Sequence, residues 1–128
     1  LIFSASPTPA TAAVVSKIID IIYEEPQRIE RLWKITHKMA NAFKSMGFDI
    51  GSSCTPIIPL KINDFEKTLM FWKALSDDGI FVNPVLPPAV PPSETIIRTS
   101  YMATHTDEQL DWALAIFEKH GKALGIIK

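Results

Sequence analysis

Residues 93–111 read SETIIRTSYMATHTDEQLD. From Thr95 to Tyr101 apolar and polar side chains alternate with a period of two, the mark of a half-buried strand. Ile97 and Thr99 share one face, while Ile96, Arg98 and Ser100 share the other. The run Thr106-Asp107-Glu108-Gln109 then has the form of a capping box, with a hydroxyl at the helix cap and an amide three residues later. Leu110, Ala113, Leu114 and Phe117 continue at helical spacing. A strand with a guanidinium in its middle therefore leads into a strongly marked helix. A strand and a helix joined this tightly make the C-terminal half α+β.

Reading outward from this stretch gives the remaining elements. The segment PVLPPAVPP, residues 84–92, is too rich in proline for a helix or a central strand and predicts a stiff, extended connection. Ile80–Val85 before it reads as a short strand. Asn63-Asp64-Phe65-Glu66 predicts a capping box with Asn63 as the cap, and Phe65, Leu69, Trp72 and Leu75 give that helix its apolar face up to Gly79. PIIPLKI, residues 56–62, reads as a strand, and Pro59 places it at a sheet edge or bulge. Upstream, Ile29, Leu32, Trp33, Thr36, Met39, Ala40, Phe43 and Met46 form one stripe on a long helix that opens at Pro26 and ends at Gly47. Thr8-Pro9 opens a first helix, Pro9–Glu24, that is apolar around most of its circumference. Such a helix needs burial on several sides, more than a core this size provides. The predicted order is helix, long helix, strand, helix, strand, strand, helix: an α+β fold with a small, mostly antiparallel sheet covered by helices on one side.

Composition narrows the function. A chain of 128 residues with a formal net charge of -1 offers no basic field to nucleic acid or acidic lipid. No apolar run approaches the ~18–20 residues that an integral membrane helix needs. The single cysteine, Cys54, excludes an internal disulfide and fits a reducing cytosol. There is no CxxC or HExxH spacing for a metal. The chain opens on LIFSASPTPA, without Met or a basic leader, which reads as a cut inside a longer protein. Mean hydropathy is +0.14, which points to apolar surface meant for a partner.

Two readings stand open at Arg98: a surface arginine, solvated or paired with an acid, or a planar fork that grips a substrate carboxylate. Ser4 and Ser6 are either turn residues or short hydroxyls beside a helix N-terminus, where a phosphate can sit. His105 reads as a polar turn before a helix cap, and His37 and His120 as solvated side chains. Cys54 has no His-Asp arrangement near it and reads as inert. Trp33, Trp72 and Trp112 fall at apolar helical positions and read as core.

Three segments together carry a resemblance. FSASPTPA (3–10), GIFVNPVLPPAVPP (79–92) and IIRTSYMATHTDEQLD (96–111), in this order and spacing, resemble the C-terminal part of the α-oxoamine synthases. These are pyridoxal 5'-phosphate (PLP) dependent transferases of fold type I; they include serine palmitoyltransferase, 8-amino-7-oxononanoate synthase, 5-aminolevulinate synthase and glycine C-acetyltransferase. EEPQRIERLW, GFDIG and MATHTDEQLD look most like bacterial serine palmitoyltransferases, whereas the closing GKALGII is closer to glycine C-acetyltransferase.

The resemblance implies an enzyme that condenses an amino acid (serine, glycine or alanine) with an acyl-CoA and releases carbon dioxide. PLP acts as its electron sink. The cofactor lysine is expected upstream, because Lys17, Lys34, Lys38, Lys44, Lys67, Lys73 and Lys119 all fall in predicted helices rather than in the family's small-residue context. No catalytic residue and no metal site is therefore expected in this chain, which should be inactive alone. Arg98 matches the arginine that holds the substrate carboxylate. Ser4, Ala5 and Ser6 match a segment that reaches a neighbouring subunit's PLP phosphate, and Pro84–Pro92 a segment that lines the site. His105 and Thr106 match a family pattern and read as structural. Residues 1–47 would link to a missing N-terminal large domain, residues 48–128 would form the C-terminal small domain, and the whole would be a cytoplasmic homodimer. The small domain of a class I or II aminotransferase and a non-catalytic regulatory paralogue are the competing readings.

Overall fold

The computed structural model describes residues 5–128. Four helices, α1 (Pro9–Glu24), α2 (Gln27–Met46), α3 (Phe65–Asp77) and α4 (Asp107–Ala123), accompany three strands, β1 (Ile57–Lys61), β2 (Asn83–Val85) and β3 (Ile96–Ser100). The strands form one antiparallel sheet in the order β1-β3-β2, so the strand bearing Arg98 is the central one. The α+β class and the antiparallel sheet are as the sequence predicts.

The inner face of the sheet and one side each of α2, α3 and α4 enclose the core. Phe43, Phe71, Ile58, Leu60, Leu75 and Ile97 are fully buried there. Phe43, Phe48, Phe71 and Phe117 meet edge to face or stacked, with ring centroids 5.0–6.0 Å apart. Such pairs add about 0.5–1.5 kcal/mol beyond the area that they bury.

The ends of the elements follow from local chemistry. Thr8 caps α1 by accepting from Thr11 N–H at 3.2 Å. Thr106 and Gln109 complete the predicted capping box of α4, at 3.3 and 3.0 Å. Gly47 closes α2 with φ +96°, a conformation that costs a residue with a Cβ. At α3 the cap is Asp64 rather than Asn63: the Asp64 carboxylate accepts from Lys67 N–H at 2.9 Å. Asn63 instead turns the chain at φ +59°. Its N–H and that of Ile62 both reach the Thr95 carbonyl, which fixes the turn before the helix can start. At α2, Pro26 is the cap rather than the first helical residue.

Four further expectations are corrected by packing. On α3 the buried residues are Thr68, Phe71 and Leu75, while Phe65 is exposed. Thr68 is tolerated inside because its hydroxyl bonds both the Asp64 carbonyl (2.6 Å) and the Thr95 hydroxyl (2.8 Å). On α2 the buried residues are Ile35, Thr36, Met39 and Phe43, while Ile29 and Trp33 near its start stay open. Trp112 is exposed as well, so these two tryptophans are peripheral rather than core. The predicted strand from Ile80 shortens to Asn83–Val85, since Ile80 and Val82 turn inward beside α3 and α4.

Helix α1 buries no residue. Val14, Val15, Ile18, Ile19 and Ile22 are each 45–58% exposed. Its apolar surface therefore has no counterpart among the described residues, the mismatch that the sequence anticipated.

Candidate functional site

The sheet has one face covered by helices and one face open. The pairing register lists what the open face carries. Ile57 lies opposite Ser100, Pro59 and Asn83 flank Arg98, and Lys61 and Val85 flank Ile96. Arg98 is thus the central cation of a surface otherwise made mostly of Ile57, Pro59, Val85 and Ile96. This is the face assignment predicted from the alternation: Ile97 and Thr99 are buried beneath, and Arg98 and Ser100 are exposed above.

Pro59 does not weaken this arrangement. The Lys61 N–H turns away from β3 and donates to the Asp49 carbonyl at 2.8 Å. In an antiparallel ladder the backbone direction repeats every second residue, so the nitrogen of Pro59 also faces away from β3, where no ladder bond is lost.

The three arginines differ in their partners. Arg28 pairs with Glu25 at 2.7 Å, and Arg31 pairs with Asp107 at 3.3 Å while also donating to the His105 carbonyl at 3.1 Å. Arg98 has no hydrogen bond and no ion pair among the described residues. Of the two forms of the surface reading, the ion pair has no acid among the described residues to support it, and the solvated form stands beside the carboxylate fork. An unengaged fork on a rigid strand can accept a planar anion through two parallel N–H donors.

Beneath Arg98 the strand is tied down by hydroxyls. Thr95 and Thr99 are both buried. The Thr99 hydroxyl donates to the Ile58 carbonyl at 2.9 Å and meets the Tyr101 hydroxyl at 2.8 Å. Burial pushes the Tyr101 phenol far above its ordinary range, so it stays protonated and able to donate. Sequence reasoning passed over these residues. Their signal was two threonines on the apolar face of the alternation.

Of the predicted lining segment Pro84–Pro92, Val85 stands on this face opposite Ile96. Ser6 is exposed, two residues before the Thr8 cap of α1, and Ser4 lies outside the described residues. His105, read as a polar turn, has its Nδ1 accepting from Met102 N–H at 3.3 Å and its carbonyl accepting from Arg31. His37 is exposed and stacks on Trp33. His120, expected to be solvated, is half-buried against Asp78. Cys54 is exposed in a loop. A cavity of about 260 Å³ lies between α4 and residues 79–82, lined by Phe81, Tyr101, His105 and Trp112, and does not include Arg98. Among the described residues no cluster of His, Cys, Asp and Glu could hold a metal, and no helix is long and apolar enough to cross a membrane.

Comparison with known proteins places this geometry. The family model for class I and II aminotransferases matches residues 1–117. The chain belongs to that family. Among curated relatives, the serine palmitoyltransferase of Bacteroides ovatus is 46% identical over 126 residues. The 8-amino-7-oxononanoate synthase of Symbiobacterium thermophilum is 40% identical over the same length. Each match covers 98% of this chain but only 32% of the relative. The chain therefore spans about a third of the length of the curated relatives that it matches. Among solved structures, the serine palmitoyltransferase of Sphingomonas wittichii superposes with a TM-score of 0.89 at 30% identity. That of S. paucimobilis, with PLP and myriocin bound, superposes with the same score at 33%. Both cover 98% of this chain and 32% of the other. The class I and II aminotransferase family thus includes PLP-dependent acyltransferases with this small sheet and its helices.

Proposed function

We propose that this chain is the C-terminal part of a PLP-dependent acyltransferase that condenses serine, or a similar small amino acid, with an acyl-CoA and releases carbon dioxide. The observation that carries the reading is Arg98: a guanidinium without an acidic partner among the described residues, exposed at the centre of the open sheet face. Identity to serine palmitoyltransferases at 46–47% against 38–40% for 8-amino-7-oxononanoate synthases favours serine and a long acyl chain over the alternatives.

Two described residues have the chemistry that a PLP site needs, at separate places in the chain. Arg98 supplies a donor pair for a carboxylate, and Ser6 stands at the N-terminus of α1, where a phosphate is favoured. The lysine that binds PLP lies upstream in this reading. Within the chain, Lys17, Lys38, Lys73, Lys119 and Lys122 are engaged by Glu24, Asp111, Asp77, Asp78 and Glu118. When bound, PLP supplies an electron sink for the bonds at the amino acid's α-carbon. Arg98 fixes the carboxylate so that the bond to be broken is held in one orientation, the entropic part of the catalysis. Ser4 and Ser6 serve the phosphate, directed toward the partner subunit of a homodimer. Residues 1–47 connect to the missing large domain, and 48–128 form the small domain. The working location is the cytoplasm, and the fragment alone is inactive.

The test is a titration of the complete protein. Binding of serine and glycine, followed by the cofactor's absorbance, should weaken in Arg98→Ala while PLP content stays normal. Unchanged amino-acid affinity would remove Arg98 from this role.

A further inference from the structure

Arg98 is useful only if its strand holds it at a fixed height and angle over the open face. The hydroxyls beneath it are placed to do this. Thr99 is the next residue in the chain and points to the opposite side of the sheet. It lies opposite Ile58 of the edge strand. Its hydroxyl donates to the carbonyl of that same residue at 2.9 Å, a tie additional to the ladder between β1 and β3. That donation uses the one hydroxyl proton, so at its second contact the Thr99 oxygen accepts, from the Tyr101 hydroxyl at 2.8 Å. Tyr101 is the first residue after β3, and its ring lies nearly perpendicular to that of His105, with centroids 6.5 Å apart. The order is therefore Tyr101 to Thr99 to the Ile58 carbonyl, with every proton assigned. No buried side-chain polar atom is left unsatisfied among the described residues.

We propose that Thr99 and Tyr101 form a positioning pair for Arg98: through the Ile58 carbonyl they lock β3 to the edge strand immediately beside the guanidinium, and so set its alignment with a bound carboxylate. The inference rests on the carboxylate role of Arg98 given above. A valine at position 99 would fill the same space and keep the strand, yet lose the tie. A phenylalanine at 101 would keep the ring against His105 and leave Thr99 only its bond to Ile58. A serine at 99 would keep the hydroxyl and lose the methyl.

The experiment is a double-mutant cycle in the complete PLP-loaded protein, read as the dissociation constant for serine by cofactor absorbance and by calorimetry, with melting temperature measured in parallel. Thr99→Val should weaken serine binding by roughly three- to tenfold, the cost of one buried hydrogen bond that transmits to the ligand. Tyr101→Phe should weaken it less. Thr99→Ser should bind serine as the parent does, even if it melts lower, so that affinity follows the hydroxyl and not stability. In an Arg98→Ala background, neither Thr99→Val nor Tyr101→Phe should weaken binding further, because a positioning residue has nothing left to position. Full additivity in that background, or unchanged affinity in Thr99→Val, would overturn the pair while leaving the role of Arg98 intact. If Arg98→Ala itself binds serine normally, the carboxylate reading falls and the positioning role falls with it.

Discussion

His120 on α4 and Asp78 at the end of α3 meet at 2.8 Å, and Lys119 reaches the same Asp78 oxygen at the same distance. Two consecutive residues of one helix thus hold the C-terminal end of another through a single carboxylate oxygen. The hydrogen bond from Lys119, and then that from His120, holds the Asp78 carboxyl below its ordinary value of 3.8. A carboxyl depressed in the folded state stabilises the fold above its unfolded value and ceases to do so as pH falls through its folded value. Asp78→Asn should therefore lower the melting temperature at pH 6–7, with the gap to the parent closing below about pH 4. Thermal melts of both proteins from pH 3 to 7 check this; a gap of constant size across the range would contradict it.

Arg98→Ala in the complete protein should weaken amino-acid binding by on the order of ten- to a few hundredfold, since two charge-assisted bonds are lost together. Arg98→Lys should recover little of this, because a point charge does not reproduce the fork. Titration with serine and with glycine measures both. A surface arginine without a ligand would change neither constant, at a cost under ~1 kcal/mol.

Gly121 lies buried in α4, and a Cβ there would stand 2.7 Å from Phe48 Cζ and 3.1 Å from Ile127. Gly121→Ala adds helix propensity worth about 1 kcal/mol but forces both neighbours to move, at about 1–3 kcal/mol. The net expectation is destabilisation, read by denaturant unfolding. A stabilised variant would show that the Phe48 ring yields freely.

The isolated chain should bind a hydrophobic dye and self-associate, because the apolar residues of α1 have no cover among the described residues. Val14→Glu combined with Ile18→Lys should reduce both effects. Sedimentation of the two proteins decides it, and a clean monomer without dye binding in the parent would count against the expectation.

Incubation of the isolated chain with PLP, borohydride reduction and peptide mapping should yield no stoichiometric pyridoxyl-lysine. Lys61 is the lysine that shares the open face with Arg98, at the edge strand opposite Ile96, and is the position to inspect first. Full labelling at any one lysine would place the cofactor residue inside this chain.

What the sequence determined by itself is local. The alternation in TIIRTSY set both the strand and the side on which Arg98 stands, because strand periodicity leaves only two faces. The capping box at Thr106, the left-handed Gly47 and the edge position of Pro59 follow from hydrogen bonds and sterics that close within a few residues. The excess of apolar side chains on α1 was also legible, because no single face can hold them. Only the tertiary structure decided the rest. Asn63 and Asp64 both suit a cap, and the choice fell to Asp64 because the Thr95 carbonyl, 32 residues away in sequence, captures the turn at Asn63. Thr68 and Thr99 are buried, and each hydroxyl finds a hydroxyl or carbonyl partner on a distant segment that no local pattern names. Trp33 and Trp112 read as core and proved peripheral, since burial depends on what packs opposite. The same holds for Arg98: the sequence placed a guanidinium on a strand, but only the folded sheet shows it central, exposed and without an acid among the described residues. Which partner a polar group finds is a property of long-range contacts, and period and spacing do not encode it.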